Sequence, residues 1–151
     1  MPTQTQVITA CAFIHKEGKL FLAKRAATKA FLPNKYELVG GHVEFGETLE
    51  QALAREIQEE IRLDVIIERP FHAFTYLAKD ETEHVVEIDY FARMKDESEE
   101  IHLNPEDHSE YHWITEEEID QYLDPEDDET KAIREGFYLL KSASSLSKAA
   151  M

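Results

Sequence analysis

The sequence lacks several features that would place it in particular classes of protein. It has one cysteine, Cys11, in 151 residues, so no internal disulfide is expected. Cys11 lies in an apolar run typical of a core strand, which fits a reducing cytosol. No apolar run is long enough to span a membrane, and the start MPTQTQ has no basic segment followed by an apolar one. We therefore expect a cytoplasmic protein without a secretory signal or a membrane segment.

Positive charge is also scarce. The chain has 16 Lys and Arg residues against 32 Asp and Glu, a formal net charge of −16 at pH 7. This balance excludes an electrostatic binding surface for long nucleic acids. It also means that a phosphate-bearing substrate needs a metal ion beside it, because the chain supplies few cations to offset the substrate's charge.

Repeats, low-complexity segments and interior linkers are absent, so we predict a single domain over residues 1–151, with 142–151 as a frayed tail. Apolar runs and capping signals predict strands and one helix, followed by further strands and two helices. This order favours an α/β fold with a mixed sheet between helical layers. The predicted elements are a hairpin of 7–14 and 19–24, strands 36–39, 64–78, 84–93 and 110–114, and helices starting at Thr48, near Thr115 and at about Asp127, the last ending near Lys141.

The most informative stretch is Gly41 to Leu63, GHVEFGETLEQALAREIQEEIRL. Its capping box predicts a helix from Thr48, and its three acids at i, i+3 and i+4 share one face. That face borders the apolar stripe of the helix, so the carboxylates turn toward the protein, repel one another and need cations. Hard oxygen donors on a rigid element suit Mg²⁺ or Mn²⁺. An ordinary solvated acidic helix is the alternative. The stripe comprises Leu49, Ala52, Leu53, Ile57 and Ile61, and the acids are Glu56, Glu59 and Glu60.

This segment resembles the Nudix box in its residues and their spacing: Gly41, Glu47, the run Arg55 to Ile61, and Leu63. The chain is therefore similar to small MutT-like members of the Nudix hydrolase family. The resemblance implies an α/β/α sandwich that cleaves a nucleoside diphosphate linked to another group with the help of Mg²⁺ or Mn²⁺. It implies a metal site formed by Glu56, Glu59, Glu60 and the carbonyl of Gly40, with Glu47 assisting and Arg55 orienting the carboxylates.

Other residues are candidates for binding the substrate or for moving a proton. Gly40 and Gly41 would let the backbone approach metal and phosphate closely. Arg25, with Lys24 as the alternative, is the candidate phosphate-binding cation, and His42 is a candidate substrate contact. Glu47 or an acid of the downstream loop would take the proton of the attacking water. From that loop (Glu106, Asp107 or Glu110) we select Glu110, because it adjoins a strand.

The box departs from the family pattern at Arg62, where the family has glycine. Glycine there ends the helix in a left-handed conformation, in which arginine costs roughly 1 kcal/mol. Tyr36 and Val39 also replace residues common in the family, and neither change removes a predicted ligand. The sequence therefore predicts an active enzyme.

Substrate choice stays open at this stage. The chain looks closest to nucleoside triphosphate pyrophosphohydrolases, and ADP-ribose or dinucleoside polyphosphates are the alternatives. A non-catalytic nucleotide sensor of the same fold usually lacks one of the box acids, which are all present here. An isopentenyl diphosphate isomerase would need a catalytic cysteine in a context that Cys11 does not have. Homodimers are common among the resembling proteins, and the sequence locates no interface.

Overall fold

The computed structural model describes residues 3–150, with side chains as far as Ala143. The strands form one mixed seven-stranded sheet, flanked by helices. The strands are β1 (Thr5–Lys16), β2 (Lys19–Arg25), β3 (Tyr36–Glu37), β4 (Val39–His42), β5 (Val65–Ala78), β6 (Glu83–Met94) and β7 (His108–Ile114). The helices are α1 (Leu49–Ile61), α2 (Ile119–Tyr122, after a 3₁₀ turn over Glu116–Glu118) and α3 (Asp128–Ala150).

Strand β1 organises the sheet. It pairs in parallel with β6 and antiparallel with β4, and its last residues form a short antiparallel hairpin with β2. Strand β5 adds to β6 antiparallel, with irregular pairing around Pro70, while β3 and β7 pair with β2. The predicted mixed sheet is confirmed. Its pairing places β4 directly beside the middle of β1, so the two glycines of β4 lie next to the central strand of the sheet.

Alternation along β1 produces two separate cores. Ala10, Ala12 and Ile14 join the buried cluster that includes Leu53 and Ile57 of α1. Cys11 and Phe13, on the opposite face, pack in the cluster that includes Ile133 and Phe137 of α3. Successive side chains of a strand point to opposite faces, so one strand serves both layers. The predicted α/β/α sandwich is confirmed.

Helix α1 begins and ends at residues that its sequence specifies. Thr48 caps it, with the predicted capping box to Gln51 at 3.0 and 3.1 Å. Arg62 ends it in the left-handed conformation (φ 52°, ψ 44°), and its backbone N–H donates to the carbonyl of Gln58. Arg62 therefore adopts the left-handed conformation for which the family pattern has glycine.

Helix α3 differs from its predicted bounds. It runs from Asp128 to Ala150, beyond the predicted end near Lys141. The predicted frayed tail concerns 142–151, where the side chains of 144–150 and the whole of Met151 lie outside the described residues. Within residues 3–150, no helix combines the length and apolar character needed to cross a lipid bilayer.

Candidate active site

Arg55 of α1 connects the predicted acidic residues. Its Nε and Nη2 donate to the two carboxylate oxygens of Glu47, at 2.8 and 2.9 Å. Its Nη1 donates to Glu56 at 3.1 Å and to both oxygens of Glu59 at 3.3 Å. Nη2 also donates to the carbonyl of His42 at 3.0 Å. One guanidinium thus fixes three carboxylates to the backbone of β4.

The helical spacing sets how deeply each acid lies. The side chain of Glu60 is 12% exposed and that of Glu56 17%, whereas that of Glu59 is 57% exposed. Residues three and four positions apart lie on one helix face, so the acids form a row from the interior to solvent. Such a row can bind a cation at the rim of a cavity.

The glycines of β4 bring the backbone against this row. The N–H of Gly40 donates to Glu60 at 3.4 Å. A Cβ at Gly40 would lie 2.1 Å from the carbonyl oxygen of Ala10, and one at Gly41 would lie 2.4 Å from Cδ of Glu56. Side chains at these positions would occupy space that the neighbouring strand and the carboxylate already fill.

Burial and charge act in opposite directions on the acids. Burial raises the pKa of Glu60 well above its ordinary value, and repulsion from Glu37 adds to this. Burial also raises the pKa of Glu56, against the lowering effect of Arg55. The hydrogen bonds from Arg55 and from the backbone of Glu44 lower the pKa of Glu47 to about 2. Glu47 is therefore ionised at neutral pH, while the two deeper acids need more positive charge.

This donor set fits a divalent metal ion. Glu56, Glu59 and Glu60 supply hard oxygen atoms of the kind that Mg²⁺ and Mn²⁺ bind. In the described residues these oxygens do not all lie within 4.8 Å of one another. Arg55 Nη1 lies between Glu56 and Glu59, and Glu60 turns to Gly40. A cation bound by all three acids would need their oxygens to lie closer together.

A cavity of about 470 Å³ opens beside the acidic row. At one end it is lined by Gly40, Gly41, His42 and Glu60. It then continues across the α3 face of the sheet, between β5 and the loop that joins β2 to β3. A cavity of this size accommodates a small-molecule ligand.

Five of the ten predicted site residues line this cavity: Arg25, Gly40, Gly41, His42 and Glu60. Glu47, Glu56 and Glu59 are held in the hydrogen-bonded group around Arg55. Arg25 forms an ion pair with Glu37 at 3.2 Å. Glu110 lies elsewhere: it contacts Lys24 at 3.4 Å and His112 at 2.8 Å, and it is absent from the cavity wall. In the pairing of β7 with β2, Glu110 lies opposite Lys24, and its side chain is 45% exposed.

Sequence reasoning missed a buried pair beside the row. His108 Nε2 lies 2.9 Å from Glu37, and its Nδ1 lies 4.0 Å from Glu60. His108 and Asp107 line the cavity, and the side chain of His108 is 1% exposed. Glu37 stands shortly before the double glycine in the sequence, and this place could have marked it as a residue of the site. Nothing in the sequence marked His108, because its approach depends on how β7 pairs with β2.

The fold and the acidic row define a class of protein, an α/β/α sandwich with a carboxylate-bearing helix after a double glycine. The model of the NUDIX domain matches residues 5–135, and the chain belongs to the Nudix family. A MutT protein from Methanosarcina mazei Go1 has a similar structure, with a TM-score of 0.75 and 22% identity over 91% of this chain and 96% of that one. The ORF135 protein of E. coli has a TM-score of 0.68 and 24% identity, over 93% of this chain and 94% of that one. At these identities the likeness concerns the fold.

Curated relatives match a shorter region. Nucleoside triphosphatase NudI of Enterobacter sp. (strain 638) is 40% identical over 63 residues, 40% of this chain and 45% of the relative. The 8-oxo-dGTP diphosphatase of Escherichia coli (strain K12) is 47% identical over 47 residues, 31% of this chain and 36% of the relative. The matched region thus spans less than half the length of each relative.

Proposed function

We propose that this protein hydrolyses the pyrophosphate linkage of a nucleoside triphosphate with the help of Mg²⁺ or Mn²⁺. The observation that carries the proposal is Arg55, which holds Glu47, Glu56 and Glu59 beside the double glycine at the mouth of a ligand-sized cavity. The printed activities of NudI and of the 8-oxo-dGTP diphosphatase support a nucleoside triphosphate as the substrate. ADP-ribose and dinucleoside polyphosphates are the alternative substrates.

Each part of the site has a role in this reaction. Glu56, Glu59, Glu60 and the carbonyl of Gly40 would hold the metal ion. When bound, that ion stabilises negative charge on phosphoryl oxygens and lowers the pKa of a coordinated water. Arg55 keeps the carboxylates oriented by charge-assisted hydrogen bonds.

Proton transfer and substrate binding fall to other residues. Glu47, ionised through Arg55, accepts a proton from the attacking water; Glu110 is the second candidate from the sequence, although it lies away from the cavity. Gly40, Gly41 and His42 border the phosphates, and Arg25 lies on the cavity wall as the nearby cation. Water adds to one phosphorus, the bridging P–O bond breaks, and the leaving phosphate carries away the bond's electron pair.

The test is product release from a panel of nucleotides with and without Mg²⁺. The panel holds unmodified and oxidised deoxynucleoside triphosphates, ADP-ribose, diadenosine polyphosphates and nucleotide sugars. We expect metal-dependent turnover of a triphosphate, reduced at least about 100-fold in Glu59→Gln, because outer-sphere partners of a metal site already contribute 10–100-fold. Glu50→Gln is the matched control, an exposed glutamate of the same helix. Binding without turnover in the intact protein would instead support a nucleotide sensor.

The proposal also concerns the partner, the location and the oligomeric state of the enzyme. A small nucleotide is its partner, and we propose a cytoplasmic location and a homodimer. Sedimentation of the full chain tests the homodimer.

A further inference from the structure

A thiol and two carboxyl groups that the proposed hydrolysis does not use lie together where β1 and β6 form the floor of the cavity. Cys11 of β1 is 6% exposed, and Glu87 and Asp89 of β6 are 3% and 0% exposed. Sγ of Cys11 and one carboxylate oxygen from each acid all lie within 4.8 Å of one another. Cys11 and Glu87 line the cavity, so an ion can reach the group from there.

Strand pairing brings the three side chains together. Cys11 is the register partner of Asp89 in the parallel pair of β1 and β6, and neighbouring strands lie about 4.8 Å apart. Glu87 stands two residues before Asp89, so both acids point to the same face of β6. This is the α3 face of the sheet, on which Cys11 and Phe91 pack. The group is therefore held by the central strands of the fold.

The acids of this group lack partners. Oε2 of Glu87 and both carboxylate oxygens of Asp89 have no hydrogen-bond partner among the described residues. Buried polar atoms without partners are rare in folded proteins, so these atoms point to a ligand. The wall of the cavity does not supply it, because its cations pair with other acids: Arg25 with Glu37, Lys29 with Asp107, Lys35 with Asp127 and Lys79 with Glu83. A cation from solution, or a proton shared between Glu87 and Asp89, would satisfy them.

The donor set selects the class of cation. Thiolate is a soft ligand that suits Zn²⁺, whereas Mg²⁺ prefers oxygen donors alone. Cysteine, aspartate and glutamate are all ligands of Zn²⁺, and its bond lengths of about 2.0–2.3 Å place tetrahedral ligand atoms about 3.5 Å apart. Small rotations of the three side chains would complete such a set. The acidic row of α1 offers only oxygen atoms and suits a different ion.

We propose that Cys11, Glu87 and Asp89 bind a Zn²⁺ ion at the floor of the cavity, as a second metal site separate from the acidic row. The ion joins β1 to β6 and offsets the charge of the two buried acids. The proposal is independent of the proposed hydrolysis, because it uses none of the residues of the acidic row.

The test uses Co²⁺ as a spectroscopic probe for Zn²⁺, because a bond from cobalt to thiolate gives a charge-transfer absorption band that oxygen ligands do not give. Cys11 is the only cysteine of the chain, so the band reports on this site alone. The metal-free full chain is titrated with Co²⁺ in a buffer that contains Mg²⁺ and no added thiol. We expect a band that saturates at one Co²⁺ per chain and disappears when excess Zn²⁺ is added. Cys11→Ser should give no band, and Glu59→Gln should give the full band.

Variants of the two acids test the oxygen ligands. Glu87→Gln and Asp89→Asn should each weaken Zn²⁺ binding, measured by competition with a chelator, at least about tenfold, since even outer-sphere partners of a metal contribute that much. Glu83→Gln is the matched control, a buried glutamate of the same strand that pairs with Lys79, and it should bind Zn²⁺ as the intact protein does. Circular dichroism and the melting temperature check folding, and Cys11→Ala replaces Cys11→Ser if the serine variant does not fold.

Two results would overturn the proposal. Absence of the band in the folded intact protein would leave a shared proton as the link between Glu87 and Asp89. Unchanged Zn²⁺ affinity in both acid variants would show that the acids are not ligands. A band without hydrolysis of any nucleotide of the panel would support this site and overturn only the proposed function.

Discussion

Arg62 stores strain that a glycine would remove. It ends α1 with φ at 52°, a conformation that costs a residue with a Cβ about 1 kcal/mol, and its side chain is exposed. We expect Arg62→Gly to raise the free energy of unfolding by about 1 kcal/mol, which corresponds to roughly 2–4 °C in melting temperature.

Arg62→Ala is the control for this substitution, because alanine removes the side chain and keeps the strain. Urea unfolding of the three proteins makes the comparison. A glycine variant no more stable than the alanine variant would show that the helix end relaxes without cost.

The two glycines of β4 should respond differently to alanine. At Gly41 the added Cβ meets the end of the Glu56 side chain, at 2.4 Å from Cδ, so the carboxylate moves and the fold remains. We expect Gly41→Ala to reduce turnover tenfold or more while its melting temperature stays within a few degrees. At Gly40 the Cβ meets backbone, at 2.1 Å from the carbonyl oxygen of Ala10, so Gly40→Ala should lower the melting temperature strongly. Full turnover in Gly41→Ala would contradict the role assigned to Glu56.

The loop before α1 is joined to the helix by the pair Glu47 and Arg55. Hydrogen bonds from Arg55 and the Glu44 backbone lower the pKa of Glu47 to about 2, against an ordinary value of 4.5. Above pH 4.5 the carboxylate is ionised in both states, and the pair contributes its full stability. As the pH falls toward 2, the unfolded chain takes up the proton first, and the contribution is lost.

We therefore expect Glu47→Gln to be less stable than the intact protein at pH 7, with a difference that shrinks between pH 4.5 and pH 3. Urea unfolding at several pH values measures this. Glu44→Gln is the comparison, since its exposed carboxylate lies 3.9 Å from Arg55 and should affect stability less. A constant difference across the pH range would mean that Arg55 does not hold Glu47 ionised.

Local patterns were enough to predict α1 but not its surroundings. The capping box and the apolar stripe could be found from spacing alone, and both are present in the helix. Of the three acids predicted to turn toward the protein, Glu56 and Glu60 do so, while the side chain of Glu59 is 57% exposed. The contacts of Glu37 with Arg25 and His108 join residues distant in sequence, so no local pattern marks them. The same limit applies to Glu110, whose position depends on the pairing of β7 with β2.

The α3 face of the sheet was the least predictable region. Glu87 and Asp89 alternate with apolar residues on β6, a pattern that would ordinarily place the acids in solvent. Both faces of this strand are covered instead, by α1 on one side and α3 on the other, so the acids are buried. Only the assembled layers show that the molecule encloses these carboxyl groups.

The enclosed acids should make the stability of the whole protein depend on pH between about pH 4 and pH 7. Burial raises the pKa of Asp89 to about 7, and that of its neighbour Glu87 well above its ordinary value. Between about pH 4 and 7 the folded protein therefore binds a proton that the unfolded chain has released. The stability due to this proton is complete below pH 4 and is lost as the pH rises through about 7, at roughly 1.4 kcal/mol per pH unit.

Unfolding of the metal-free protein in EDTA, from pH 5 to pH 8, measures this dependence. General repulsion among the surface acids, at a net charge of −16, also weakens the folded state as the pH rises. Asp89→Asn separates the titration of Asp89 from the surface effect, because it removes this one buried group and leaves the surface charge almost unchanged. In this variant we expect the unfolding free energy to depend less steeply on pH, by the amount that corresponds to about one bound proton. An unchanged slope would show that Asp89 contributes nothing to this dependence and is ionised in the folded protein.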